Sequence, residues 1–199
     1  YAKQYSDMPF VIMLDEDENG YKAGRFLRAS DLGMSGENNE WKPVIQDKLS
    51  QQLLVPNGTM GQRWEEGKKW NLKLETEDGT PIDPMLSMVE SDYHVETIQF
   101  PYFDSSGDGI FERPIATRTI QLANGEEVKI ATVYDLMTSQ YGVQRFEHEL
   151  EATSYDDASS KYTPAWQEQI TGIKKELVTK VAKEFAQNAI DTGGRSMII

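Results

Sequence analysis

The 199 residues contain no cysteine. Disulfide staples, thiolate zinc sites, cysteine-held iron–sulfur clusters and cysteine nucleophiles are therefore excluded as contributions of this chain. Histidine is nearly as scarce: His94 and His148 are the only two, too few for a three-histidine metal site. Positive charge is in deficit, with 20 Lys and Arg against 33 Asp and Glu and a formal net charge of −13. Such a chain repels polyanions, which argues against nucleic acid and anionic membrane surfaces as partners. Apolar runs such as Met8–Leu14 stop far short of the roughly 20 residues that span a bilayer, so no direct membrane insertion is expected. Tyr1-Ala2-Lys3-Gln4 has neither the basic nor the apolar segment of a secretory signal. A start on Tyr rather than Met leads us to expect an excised or processed piece.

What is present can build a core. Four Trp, nine Tyr and seven Phe accompany an apolar content of 38%, the profile of a polar, loop-rich globular chain. The expected class is α+β (mixed α/β), with a β-hairpin-rich segment over 1–150 and a helix–strand unit over 151–199. Met8 to Leu14 reads as a buried strand, Asp15 to Gly20 as a polar turn and Tyr21 to Arg28 as the returning strand. Ala29 to Gly33 reads as a turn into a linker, and Pro56-Asn57-Gly58-Thr59 as another turn. Trp64 to Thr80 predicts a second pair of short strands around Trp70–Leu74, whose alternation puts Trp70, Leu72 and Leu74 on one face. Arg118–Leu122 and Glu127–Ile130 alternate around Asn124-Gly125. That pair suits a type I′ turn, so a hairpin is predicted.

Helical signals fill the last quarter. Val133 to Tyr141 predicts a short helix stopped by Gly142. Thr163 as N-cap and Pro164 at the first helical position open a helix over Ala165–Ile170. Ile173, Leu177, Val181, Phe185, Ala189 and Ile190 recur at helical spacing and form one apolar face, with Lys174, Lys180, Lys183 and Glu184 on the other side. Gly193-Gly194 terminates that helix, and Ser196–Ile199 opens an apolar strand. A chain ending on a core strand suggests a cut inside a larger α/β unit. The Ser- and Asp-rich stretch Leu150–Lys161 is the expected seam.

The candidate sites are sparse. Asp15, Asp17, Asn19 and Gly20 match the start of an EF-hand loop, and so do Asp104, Ser106, Asp108 and Gly109. The twelfth positions are Phe26 and Ile115, which cannot supply the bidentate carboxylate; solvated hairpin turns are the expected reading. His94, between Asp92 and Glu96, has the make-up of a general base, yet no nucleophile motif accompanies it. His148 with Glu147, Glu149 and Glu151 would form a mixed metal site only on a helix, and a solvated acidic face is favoured. Trp41, Trp64, Trp70, Tyr102 and Phe103 could stack against a sugar, although most aromatics bury into cores. Asn57-Gly58-Thr59 is a formal glycosylation sequon without a secretory route. Gly193-Gly194 closes a helix rather than opening one, so it is no phosphate cradle.

Several stretches resemble a known family. Tyr162-Thr163-Pro164-Ala165-Trp166-Gln167-Glu168-Gln169-Ile170-Thr171-Gly172-Ile173, with the helix ending Lys183-Glu184-Phe185-Ala186, resembles a segment of molybdopterin oxidoreductases of the dimethyl sulfoxide reductase superfamily. Gly194-Arg195-Ser196-Met197-Ile198-Ile199 narrows the resemblance to catalytic α subunits of membrane-bound respiratory nitrate reductases. Tyr5–Phe10, Ala23–Leu32, Pro56–Gly61, Lys69–Leu72, Thr132–Leu136 and Ala152–Asp157 agree in order along the chain. Lys174 departs from the pattern, standing where relatives often place a helix-capping Ser, with an expected weakening of about 1 kcal/mol.

The resemblance implies an internal scaffold fragment of a large subunit on the cytoplasmic side of the cell membrane. That subunit would hold molybdenum in a bis(molybdopterin guanine dinucleotide) cofactor and a [4Fe–4S] cluster. It would reduce nitrate to nitrite with quinol electrons passed through an iron–sulfur β subunit and a haem-bearing membrane γ subunit. The implied metal ligands lie upstream and the glycine-rich loop downstream of this stretch. No catalytic residue and no metal ligand is therefore assigned to any position, and the cofactor-contacting positions stay unassigned. The isolated piece is expected to be inactive and, with apolar surface open, to self-associate. The alternative reading is a self-contained acidic module that binds a protein or sugar; a Ca²⁺-dependent module is a third.

Overall fold

The computed structural model describes residues 2–67, 72–104 and 107–196, with the backbone alone at 102–104 and 107–108. The chain is α+β and forms two compact units, Tyr1–Ser139 and Gln140–Ile199. In the first unit a short helix, α1 (Ala2–Tyr5), precedes β1 (Val11–Asp17) and β2 (Gly20–Phe26). Two-residue strands β3 (Ile45–Gln46) and β4 (Leu53–Leu54) pair with each other. Then come β5 (His94–Asp104), β6 (Gly107–Gln121) and β7 (Glu127–Thr132).

Among the described residues, five strands close a barrel in the order β1-β2-β5-β6-β7. Neighbours are antiparallel except β2 and β5, which run parallel through Tyr21↔Ile98 and Lys22↔Gln99. A parallel pair needs a crossover, and the long 27–93 connection supplies it. Val11, Ile98, Ile115 and Ile130 are fully buried. β1 changes character along its length: Val11–Leu14 are buried, while Asp15–Asp17 are exposed. Its pairing with β2 shifts register between Ile12 and Leu14. A Cβ on Gly24 would sit 2.7 Å from the Met13 carbonyl oxygen, so this close approach requires glycine.

The crossover is sewn to the barrel by backbone bonds. Val11 N–H donates to Val44 O, Val44 N–H to Leu27 O and Leu27 N–H to Val11 O. Farther along, Thr132 ends β7 and helix α2 (Val133–Gln140) begins. Asp135 in its first turn is fully buried and accepts from the Ser87 hydroxyl at 2.6 Å and Met88 N–H at 2.8 Å. Its own N–H donates to the Thr132 hydroxyl at 3.0 Å, so one carboxylate ties α2 to the turn preceding β5.

Two predicted elements change on inspection. The hairpin around Asn124-Gly125 forms, but its turn is not type I′, which needs positive φ at both residues. Gly125 has φ +85° and Asn124 is not among the positive-φ residues. Gly125 N–H donates to Leu122 O and Leu122 N–H to Glu126 O, the pattern of a type I turn closed by a left-handed glycine. The expected strand through Leu72–Leu74 is absent at those residues, while Trp70 lies outside the described residues. A single bridge, Glu75↔Pro81, takes its place.

In the second unit, α3 (Pro164–Thr171) begins at Thr163, whose hydroxyl accepts from Trp166 N–H at 3.1 Å. α4 (Lys175–Asp191) ends at Gly193-Gly194, with Gly194 N–H bonded to Ala189 O at 2.6 Å. Both ends follow the sequence signals. The apolar face of α4 does form a stripe, but none of its residues is buried: Leu177 is 55% exposed and Phe185 40%. The expected strand Met197–Ile199 lies outside the described residues.

Candidate functional site

Two concavities on the barrel unit combine charged and aromatic walls. The larger, about 970 Å³, opens between the outer ends of β1 and β2 and the β6–β7 turn. Its walls carry Asp15, Glu16, Asp31, Glu127, Arg25 and Lys129 among others. Arg25 grips Asp31 with two bonds of 2.7 Å. The guanidinium bond holds the Asp31 carboxyl below its ordinary range, against the opposing effect of burial. Lys129 pairs with Glu96, which raises its pKa, and its ammonium lies 5.2 Å from the centre of the Tyr21 ring. Both cations of this cleft are thus already paired, Arg25 with Asp31 and Lys129 with Glu96. Among the described residues no group of three or more His, Asp or Glu is placed to hold a metal ion.

The smaller concavity, about 430 Å³, lies beside the entry to the barrel. Phe10, Phe26, Pro43 and Leu72 give it apolar walls, and Arg28 and Thr59 give it polar ones. Phe10 and Phe26 meet edge to face at 6.4 Å. The Arg28 guanidinium lies 5.3 Å from the Phe26 ring centre and donates from Nη1 to Trp41 O at 3.1 Å. Burial pushes the Arg28 pKa down, and the neighbouring Arg25 charge pushes it the same way. Thr59 is 2% exposed, and its hydroxyl has no hydrogen-bond partner among the described residues.

The residues singled out from sequence fall elsewhere. Asp17 accepts from Asn19 N–H at 2.8 Å and pairs with Lys22 at 2.9 Å, so it closes a hairpin turn. Phe26 continues β2 and Ile115 is fully buried in β6, so neither twelfth position faces an ion. Asp104 pairs with Gly107 at the tip of the β5–β6 hairpin, whereas Ser106 lies outside the described residues. His94 is exposed on β5 opposite Thr117.

The His148 group is not helical and does not converge. Glu151 is buried and turned inward, accepting from Arg145 N–H at 2.8 Å, Phe146 N–H at 3.1 Å and His148 N–H at 3.0 Å. His148 Nδ1 accepts from Leu150 N–H at 3.2 Å. Sequence reasoning took Glu151 for part of a solvated face; the loop instead wraps around it. Trp41 and Trp64 are exposed, while Trp70 and the side chains of Tyr102 and Phe103 lie outside the described residues. Asn57 is bound to Glu75 through its side chain at 3.1 Å, and buried Thr59 completes that turn. Arg28 was missed because its signal is tertiary: nothing local marks an arginine that an aromatic wall partly covers.

Among the described residues, neither concavity holds a nucleophile poised beside a base, so geometry alone assigns no reaction. No family model matches the chain. The comparison with whole proteins is decisive. The chain is 49% identical over 200 residues to the nitrate reductase alpha chain of Bacillus subtilis, and 40% identical over 213 residues to the respiratory nitrate reductase 1 alpha chain of Escherichia coli. All of this chain is covered in each alignment. Its homologues are nitrate reductase alpha chains. The nitrate reductase alpha subunit of Mycobacterium tuberculosis is also similar, at 39% over 207 residues. The chain spans 16–17% of the length of these curated relatives. It matches a stretch of an alpha chain, and among the described residues no helix is long and apolar enough to cross a membrane.

Proposed function

We propose that this chain is a scaffold segment of a respiratory nitrate reductase alpha subunit, the whole of which reduces nitrate to nitrite. The observation that carries this reading is the end-to-end match to alpha chains at 36–49% identity. The whole subunit would use molybdenum in a bis(molybdopterin guanine dinucleotide) centre and a [4Fe–4S] cluster. It would draw quinol electrons through an iron–sulfur β subunit and a haem-bearing γ subunit at the cytoplasmic side of the membrane. The residues present do not fit those metals: the chain has no cysteine, and its described His, Asp and Glu side chains do not converge. No step of the reaction is therefore routed through this segment. Its part is to position and seal, as protein does around a cofactor that carries the redox chemistry. The stretch 151–199 would lie towards the cofactor, and the β-rich stretch before Thr132 would form an outer wall or subunit contact.

The test is direct. The purified chain should bind no molybdenum by elemental analysis and form no nitrite from nitrate with reduced viologen. Grafted in place of the matching stretch of the Bacillus subtilis alpha chain, it should support viologen-linked nitrate reduction. Nitrite formation by the isolated chain would overturn the scaffold role; a folded, cofactor-loaded but inactive graft would overturn the equivalence of the segments.

A further inference from the structure

We propose that the Arg28 cleft is a binding site for a monocarboxylate carried on a flat apolar body. The argument begins with an unequal division of charge. Arg25 and Arg28 both lie near Asp31, but the carboxylate is fully used: Arg25 takes both oxygens at 2.7 Å, and the Arg28 backbone N–H takes Oδ2 at 2.8 Å. Among the described residues the Arg28 guanidinium forms no ion pair. It has one neutral acceptor, Trp41 O, and one aromatic face, Phe26. Arg28 is partly desolvated, and Asp31, already bound by Arg25, attracts it too weakly to offset burial and the Arg25 charge; an incoming anion would offset that cost.

The surroundings define the anion. A guanidinium fork matches the two oxygens of a carboxylate. Phe10, Phe26, Pro43 and Leu72 beside it accept an apolar body, and a volume of about 430 Å³ lies within the range of small-ligand pockets, about 300–1,000 Å³. Thr59, in the same wall, carries a hydroxyl with no partner among the described residues. Exposed Asp7 on the rim and a net charge of −13 disfavour dianions such as phosphate monoesters. The selectivity is therefore for a single negative charge on a flat ring.

The experiment titrates sodium 2-naphthoate into the ¹⁵N-labelled chain. Saturable shifts are expected at Phe26, Arg28, Thr59 and Leu72, with neutral 2-naphthamide binding at least tenfold more weakly. Inorganic nitrate, which has the same charge and fork geometry but no apolar body, should also bind at least tenfold more weakly. Arg28→Gln should weaken naphthoate binding tenfold or more with the amide spectrum otherwise preserved. Met60→Glu, on the exposed rim, adds a repelling charge without touching the core and should weaken binding several-fold. It decides the matter if Arg28→Gln does not fold. Absence of saturable binding to the native chain, equal affinity for the amide or nitrate, or unchanged affinity in Met60→Glu would each overturn the proposal.

Discussion

Glu168 caps a helix to which it does not belong. Its Oε2 accepts the Lys175 N–H at 2.9 Å, while Oε1 pairs with Lys174 at 2.6 Å. Lys174 stands at the N-cap of α4, and its side chain caps none of the helix's own N–H groups. The carboxylate that a capping serine would replace is thus delivered from α3, across the turn at Gly172.

This relationship sets the first prediction. Glu168→Ala should speed amide exchange at Lys175 and through the first turn of α4 several-fold, and leave the barrel strands unchanged. The Lys174 ammonium, then the Lys175 N–H, hold the Glu168 carboxyl below its usual range. A lowered folded pKa keeps the cap at neutral pH and releases it as pH falls through that lowered value. The protection factor at Lys175, exchange measured against its intrinsic rate at each pH, should therefore hold at neutral pH and fall as pH drops through that lowered value.

Glu151 organises a loop by the same chemistry at greater depth. Glu151→Ala leaves at least three backbone N–H groups without their shared acceptor and should cost the second unit about 3 kcal/mol. Denaturant unfolding followed by signals from Gln140–Ile199 measures it, and an unchanged midpoint would refute the role.

Asp47 tests the crossover. Burial raises its pKa, but the Asp83 N–H at 2.7 Å and the Ser50 hydroxyl and N–H outweigh that and hold it low. Its contribution is present above about pH 4 and is lost as pH falls through the depressed value. Asp47→Asn should cost about 1–3 kcal/mol at pH 7. The native-to-variant difference should shrink towards pH 2 in urea titrations.

The exposed stripe of α4 gives a contrast. Leu177→Gln should change stability by no more than about 0.5 kcal/mol, because Leu177 is not buried in this chain. Ile115→Ala, in the barrel core, should cost about 2–5 kcal/mol. A large loss for Leu177→Gln would mean that the stripe is covered, by self-association or otherwise, and sedimentation would show which.

Legibility followed the range of the interaction. The β1–β2 return, the 117–131 hairpin, the Thr163 cap and the Gly193-Gly194 stop were readable because each is written in a few neighbouring residues. The turn at Asn124-Gly125 was misassigned by type, because one dipeptide serves two turns and only the Leu122–Glu126 pairing separates them. At Leu72–Leu74 the alternation overstated the strand: Lys73 N–H bonds to Asn57 O and Leu74 O accepts from Ile82 N–H, but the pairing there amounts to the single Glu75↔Pro81 bridge.

By itself the sequence determined the charge balance, the absence of thiolate chemistry, the helical and strand periodicities and the kinship to nitrate reductase alpha chains. These are properties of composition and of residues close in the chain. The tertiary structure alone decided that β2 and β5 run parallel to close a barrel, that Glu151 faces inward, and that the Asp31 oxygens bond to the Arg25 guanidinium rather than to that of Arg28. Each depends on groups brought together through space, where burial and competition for one acceptor choose among pairings that the sequence leaves equivalent.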